Sequence, residues 1–203
     1  ALNQFKRVDA VALTNGLLEQ SGHVTPEKTK FKYGFIGFIT DKLDLEFLVR
    51  LGRDSGQTIA VYGQSYDSEI EKKLKRSPYI QWFGAFTEKD IPRIMSTFFI
   101  GLIPYRKSKS HDGSPIKLYQ YFNYGKPVIS TEAYEDTLFD SEYVTIVRPD
   151  DIKKAAEFTN SMEALEKKSP DLFIRHMHDQ IDSSVLWSSK IDTILSRIET
   201  VSA

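Results

Sequence analysis

The sequence contains no cysteine. This excludes disulfides, thiolate nucleophiles and cysteine-based zinc sites, and it fits a reducing compartment. Net charge is also nearly absent. Lys and Arg number 27 against 28 Asp and Glu, for a balance of −1 at neutral pH. Bulk electrostatics therefore makes no case for a nucleic acid or an anionic membrane as partner. No apolar run approaches the roughly 20 residues of a membrane span, and the first residues lack the basic-then-apolar order of a secretion signal. There is no Asp-x-Asp triplet. The four histidines, His23, His111, His176 and His178, suggest no metal set; the last two are two apart on an expected helix and so point to different sides. The chain does not begin with Met, and residues 8–13 read as an element entered abruptly. A fragment of a longer protein is expected.

What is present is an ordinary globular composition, 40% hydrophobic and 27% charged over 203 residues, enough for one sizeable α/β domain with its own core. Apolar runs of strand length alternate with helix-length amphipathic stretches, which predicts a mainly parallel sheet covered by helices on both faces, a Rossmann-like three-layer α/β/α fold. Strands are expected at residues 10–13, 31–36, 58–62, 80–83, 97–104, 127–130 and 143–146. Helices are expected at 41–53 behind an Asp cap, at 67–75, at 89–96 and from Pro115 to the turn at Gly125. From 150 onward the chain reads as helical, through 172–181 to a last helix at about 183–198. Residues 1–30 read as a linker or the end of a preceding domain, 31–182 as the Rossmann-like domain itself, and 183–203 as a crossing helix. Trp187, Ile191, Ile194 and Leu195 form a stripe on that helix, suited either to core packing or to contact with another domain.

Three expected strands end in glycine, at Gly37, Gly63 and Gly84. Each glycine taken singly reads as a tight turn. Together they fall where an open parallel sheet places its ligand crevice, and glycine lets backbone approach a ligand closely. The most informative stretch is residues 114–131, SPIKLYQYFNYGKPVIST. Ser114 suits an N-cap and Pro115 the first helical position; Gly125 suits a left-handed helix end. Lys117 and Gln120 lie three apart near the start of this helix, one side of which thus carries an ammonium and an amide. A helix N-terminus so equipped suits a phosphate and a hydroxyl.

This stretch resembles the signature of two-Rossmann-domain (GT-B) nucleotide-sugar glycosyltransferases of group 1, a pattern close to Ser-Pro-x-Lys-Leu-x-Glu-Tyr-x-x-x-Gly-x-Pro-Val-Val. It matches at Ser114, Pro115, Lys117, Leu118, Tyr121, Gly125, Pro127 and Val128, with Gln120 in place of the glutamate. The resemblance implies the C-terminal, donor-binding half of such an enzyme. Lys117 would then contact the diphosphate and Gln120 the ribose, an amide accepting from one hydroxyl and donating to the other. A lysine followed three residues later by glutamine is similar to the xanthan-type glucuronosyltransferase, which implies a UDP sugar. Asp112, eight residues before Gln120, would touch the donor sugar or serve as an ordinary turn. Ser114 would offer its own N–H, or that of Ile116, to phosphate or act only as a cap. Phe86 falls where relatives hold the base, whereas Trp82 and Phe83 read as sheet packing. Many relatives carry an arginine after the first glycine; this chain has Phe38, and Lys42 leaves the next cationic role open. Arg106, Lys107 and Lys109 either attract an anion or solubilise a loop.

The resemblance further implies metal-independent transfer from a nucleotide-diphosphate sugar, with no cofactor. The acceptor would be a glycan or lipid-linked molecule of surface polysaccharide synthesis. The expected partner is a missing N-terminal Rossmann-like domain, and the expected place is the cytoplasm or the inner face of the membrane. The alternatives are a UDP-sugar 2-epimerase-like enzyme and a degenerate nucleotide-binding or interaction module.

Overall fold

The computed structural model describes residues 16–17, 29–109, 116–132, 137–181 and 183–201. Its centre is a six-stranded sheet of β1 (Phe31–Ile36), β2 (Ile59–Tyr62), β3 (Ile80–Trp82), β4 (Phe98–Ile103), β5 (Val128–Ser130) and β6 (Val144–Ile146), in the order β3-β2-β1-β4-β5-β6. Every adjacent pair is parallel. β4, the run FFIGLI, is buried along its whole length, and β2 likewise, as expected of strands covered on both faces. The strand order reverses between β1 and β4. The crossovers from β1 and from β4 therefore leave toward opposite edges, and a crevice opens between their carboxyl ends. The strand expected at residues 10–13 lies outside the described residues.

Among the described residues seven α-helices accompany the sheet: α1 (Leu45–Ser55), α2 (Ser68–Arg76), α3 (Ile91–Ser96), α4 (Ile116–Asn123), α5 (Ile152–Lys168), α6 (Pro170–Asp179) and α7 (Trp187–Val201). α1 begins later than the sequence suggests. Its cap is Asp44, whose carboxylate accepts from Phe47 N at 3.1 Å. Asp41 is instead ion-paired with Lys109. The intervening residues are held by the chain leaving β4: Asp44 N donates to the Pro104 carbonyl at 2.7 Å, and Leu43 bridges Tyr105. Tertiary pairing has overridden local helix propensity there. α3 also starts late, behind a single 3-10 turn at Glu88–Asp90.

The last helix is shorter at its start than expected. Ser183–Val185 is a 3-10 turn, and Leu186 bridges Leu17. Leu17 N donates to Val185 O at 3.0 Å and Trp187 N to Leu17 O at 2.8 Å. This pairing takes up the backbone that would have formed the first helical turn. The stripe on α7 is not core: Ile191, Ile194 and Leu195 are all exposed.

α4 buries Leu118, Tyr119, Tyr121 and Phe122 against the core, and Tyr121 also ties it to the sheet by hydrogen bonds. Tyr121 is fully buried; its hydroxyl donates to the Leu102 carbonyl at 3.0 Å and accepts from Ile36 N at 3.2 Å. Burial pushes its phenol well above the ordinary tyrosine range. The ring packs edge-on against Phe98, and a Cβ at Gly101 would lie 2.5 Å from it. Tyr121 thus docks α4 onto the ends of β1 and β4.

Candidate functional site

The glycines that end β1 and β2 form the floor of the crevice. Gly37 has φ +139° and Gly63 φ +152°, backbone that a side chain rarely adopts. Neither has room for a Cβ. At Gly63 it would strike the Gly37 carbonyl, and at Gly37 it would lie 2.7 Å from the Lys117 ammonium. Beyond the strands the backbone continues as a ladder. Gly37 N donates to Tyr62 O at 2.9 Å, Ile39 N to Gln64 O at 3.0 Å, and Gly63 N to Gly84 O at 2.8 Å. The Trp82 indole N–H donates to the Gly63 carbonyl at 2.8 Å. Trp82 is therefore a buttress of the crevice as well as a packing residue. Phe83 is 42% exposed, stacked on Tyr62 at 4.4 Å, so it is only partly the sheet-packing residue expected.

Lys117 lies on the same side of α4 as Tyr121, one turn earlier. Its ammonium is 5.7 Å from the centre of the Phe35 ring and 5.3 Å from that of Tyr105. Both rings are buried and meet edge-on. Cation–π contact of this kind is worth about 0.5–2 kcal/mol and orients the ammonium beside the Gly37 turn.

Gly37, Phe38, Gly63, Gln64, Ala85 and Phe86 enclose a cavity of about 180 Å³. The structure thus brings together four sequence-derived candidates: Gly37, Gly63, Phe86 and, behind Gly37, Lys117. Gln120 opens instead onto a second cavity of about 570 Å³, also lined by Glu88, Ile91, Asn123, Tyr124 and Trp187. Residues three apart on a helix differ by about 60° in direction, enough to set Lys117 and Gln120 on separate openings. The loop carrying Phe86 and Glu88 borders both. Asp112 and Ser114 lie outside the described residues. In the basic run, Lys109 is paired with Asp41, whose carboxyl is held below its usual range by that hydrogen bond. Arg106 lines a groove along α1 with Arg50 and Arg53, not the cavity at Gly37.

Tyr121 and Trp82 were not singled out as site-shaping residues from sequence. Tyr121 stands at a matched position of the motif, so its presence was a signal; its role in anchoring the helix became legible only from the contacts.

A parallel 3-2-1-4-5-6 sheet, glycine turns at its switch point and a lysine over the first turn define a Rossmann-like domain with an open crevice at the carboxyl edge of its sheet. Residues 43–168 match the family model described as glycosyl transferases group 1; the chain belongs to this family. It is 29% identical over 115 residues to TuaH of Bacillus subtilis (strain 168), provisionally assigned as a teichuronic acid biosynthesis glycosyltransferase; the match covers 55% of this chain and 29% of TuaH. Among solved structures, the Anabaena protein Alr3699/HepE, in complex with UDP and glucose, gives a TM-score of 0.62 at 15% identity, over 83% of this chain and 48% of that one. The lipopolysaccharide outer core galactosyltransferase WaaB, in its apo form, gives 0.62 at 14% identity, over 93% and 56%. The chain spans about half the length of these solved relatives and less of TuaH. Their shared architecture is the Rossmann-like half of a GT-B fold. Among the described residues no helix is long and apolar enough to cross a membrane.

Proposed function

We propose that this chain is the donor-binding half of a glycosyltransferase that holds a nucleotide-diphosphate sugar, with UDP as the nucleotide, for transfer to a glycan or lipid-linked acceptor in surface polysaccharide synthesis. The observation that carries the reading is the Lys117 ammonium seated beside the Gly37 turn at the switch point of the sheet. A diphosphate leaving group gains negative charge as the glycosidic bond breaks. A preorganised ammonium in a partly desolvated crevice stabilises that charge without reorganisation. In this reading the Lys117 ammonium and the N-terminus of α4 take the place of a divalent ion, and the transfer is metal-independent. TuaH supports the polysaccharide context by its name, and the UDP complex of Alr3699/HepE supports the nucleotide.

In this reading Gly37, Gly63 and Phe86 border the base and phosphates, Gln120 takes the ribose from the adjoining cavity, and Ser114 and Asp112 meet the phosphate and the donor sugar. Residues 31–182 form the donor domain. The segment to residue 30 and residues 183–203 join it to an N-terminal Rossmann-like domain, which brings the acceptor and the general base. The exposed Ile191, Ile194 and Leu195 of α7 fit such a contact. By itself the chain binds donor but does not transfer. The enzyme works in the cytoplasm, at or near the inner face of the membrane.

Calorimetric titration with UDP, using GDP and ADP as controls, tests this. Selective UDP binding that weakens in Lys117→Ala and in Gln120→Ala is expected. UDP binding unaffected by either substitution would refute the assignment of the site, and selectivity for ADP or GDP would refute the choice of nucleotide.

A further inference from the structure

The mouth of the crevice carries a pair of aromatic side chains that the reading above leaves unused. Phe38 is 52% exposed and Tyr66 is 77% exposed. Their rings are in contact, with centroids 5.3 Å apart and planes inclined at 52°. Phe38 also lines the 180 Å³ cavity, beside Gly37 and Gln64. The backbone holds both rings out. Phe38 lies between Gly37, bonded to Tyr62 O, and Ile39, which is buried and bonded to Gln64 O. Tyr66 lies between Ser65, buried and bridged to Ile39, and Asp67, which caps α2 by accepting from Glu69 N and Ile70 N. With residues on both sides anchored, the rings are presented outward at little further entropic cost.

We propose that Phe38 and Tyr66 form a platform that stacks on a pyranose ring at the crevice mouth. The proposal rests on the donor-domain reading and deepens it. A pyranose offers an apolar C–H face and a rim of hydroxyls. The electron-rich faces of Phe38 and Tyr66 match the first, and the exposed Gln64 amide beside Phe38 matches the second. The exposed Ile191, Ile194 and Leu195 of α7 differ in kind: they are aliphatic, they lie on one helix, and none of them lines the 180 Å³ cavity. The platform is continuous with that cavity, which places a sugar there next to the phosphate side of the site.

The ring can belong to the donor or to the acceptor, and two arms separate these sources. In the first, the full chain is titrated by calorimetry with UDP and with UDP-glucose. In the second, a neutral gluco-hexasaccharide is examined by saturation-transfer NMR. The variants are Phe38→Ala, Phe38→Trp and the double Phe38→Ala/Tyr66→Ala, each checked for an unchanged melting temperature. If the donor sugar stacks, the affinity advantage of UDP-glucose over UDP falls roughly three- to tenfold in the alanine variants, and Phe38→Trp retains it. If an acceptor ring stacks, that advantage is unchanged, while hexasaccharide saturation transfer is lost in the double variant and kept in Phe38→Trp. Both results support the platform. It is overturned if folded double variant matches the parent in both arms, if the parent binds neither sugar ligand, or if Phe38→Ala weakens UDP and UDP-glucose equally, which would make Phe38 a base contact. Failure to bind UDP with hexasaccharide transfer intact would refute the donor reading and leave the platform standing.

Discussion

Two lysines flank α4 and meet opposite fates. Lys117, at its start, reaches the carboxyl edge of the sheet, where the Gly37 turn and the faces of Phe35 and Tyr105 surround its ammonium. Lys126, just past its end, is buried at the amino edge, where β5 begins. Burial drags its pKa down to about 8, with the Glu166 carboxylate opposing the shift. Glu166 is itself pushed up, mainly by burial. The same residue type thus faces the crevice at one edge and is enclosed at the other. Parallel α/β sheets divide their edges in this way, with chemistry at the carboxyl ends and packing at the amino ends.

Substitutions can break this contrast, and the largest effect belongs to the glycine floor. Gly63→Ala forces a Cβ into the Gly37 carbonyl at a strained φ; a loss of about 3 kcal/mol or more is expected in denaturant unfolding. Next comes Lys126→Met. At pH 7 a buried ammonium is charged in both folded and unfolded chains and its desolvation costs stability, so the variant should gain about 2 kcal/mol. Because the folded pKa lies below the ordinary value near 10.5, the unfolded chain binds more protons between about pH 8 and 10.5. The parent therefore gains stability through that window and the advantage of the variant fades. Unfolding midpoints measured at pH 7, 9 and 10.5 would show it. UDP affinity should not change.

Tyr121→Phe leaves the Ile36 N–H and the Leu102 carbonyl without the hydroxyl between them. It should cost about 1.5 kcal/mol in thermal unfolding and also weaken UDP, since it loosens the helix that aims Lys117. Lys117→Ala has the smallest expected effect on the fold and sharpens the contrast most. UDP affinity should drop about tenfold, while unfolding loses only the cation–π contacts of the ammonium, about 1 kcal/mol or less. A stability loss with unchanged UDP affinity would make Lys117 a packing residue.

Much of the architecture was legible because local signals agreed with the final packing. Runs such as FFIGLI and IAVY are buried and read as strands, and the helices expected from 67 and from 150 begin close by, at Ser68 and Ile152. The start of α1 was not legible, because the segment from Asp41 to Asp44 answers to Pro104, Tyr105 and Lys109, residues far along the chain. The same holds at Leu17 and Leu186, whose pairing takes the first turn from the last helix. Near the crevice, the strand-ending glycines and the 114–131 motif bring out Gly37, Gly63 and Lys117, and the family resemblance brings out Phe86; the structure places the four near one another. These signals did not reveal that Gln120 opens onto a different cavity from Gly37, because three residues along a helix bring side chains near without making them parallel. Nor did they reveal the Phe38–Tyr66 pair, whose members meet only because β1 and β2 are neighbours in register.

The chain holds two tryptophans, and the fold gives each a separate post. Trp82 stands behind the small cavity, its indole bonded to the Gly63 carbonyl, and Trp187 lines the large one. The protein therefore carries an intrinsic optical gauge for each compartment. Emission followed in Trp82→Phe and in Trp187→Phe would report separately, without labels, when each cavity fills and in what order.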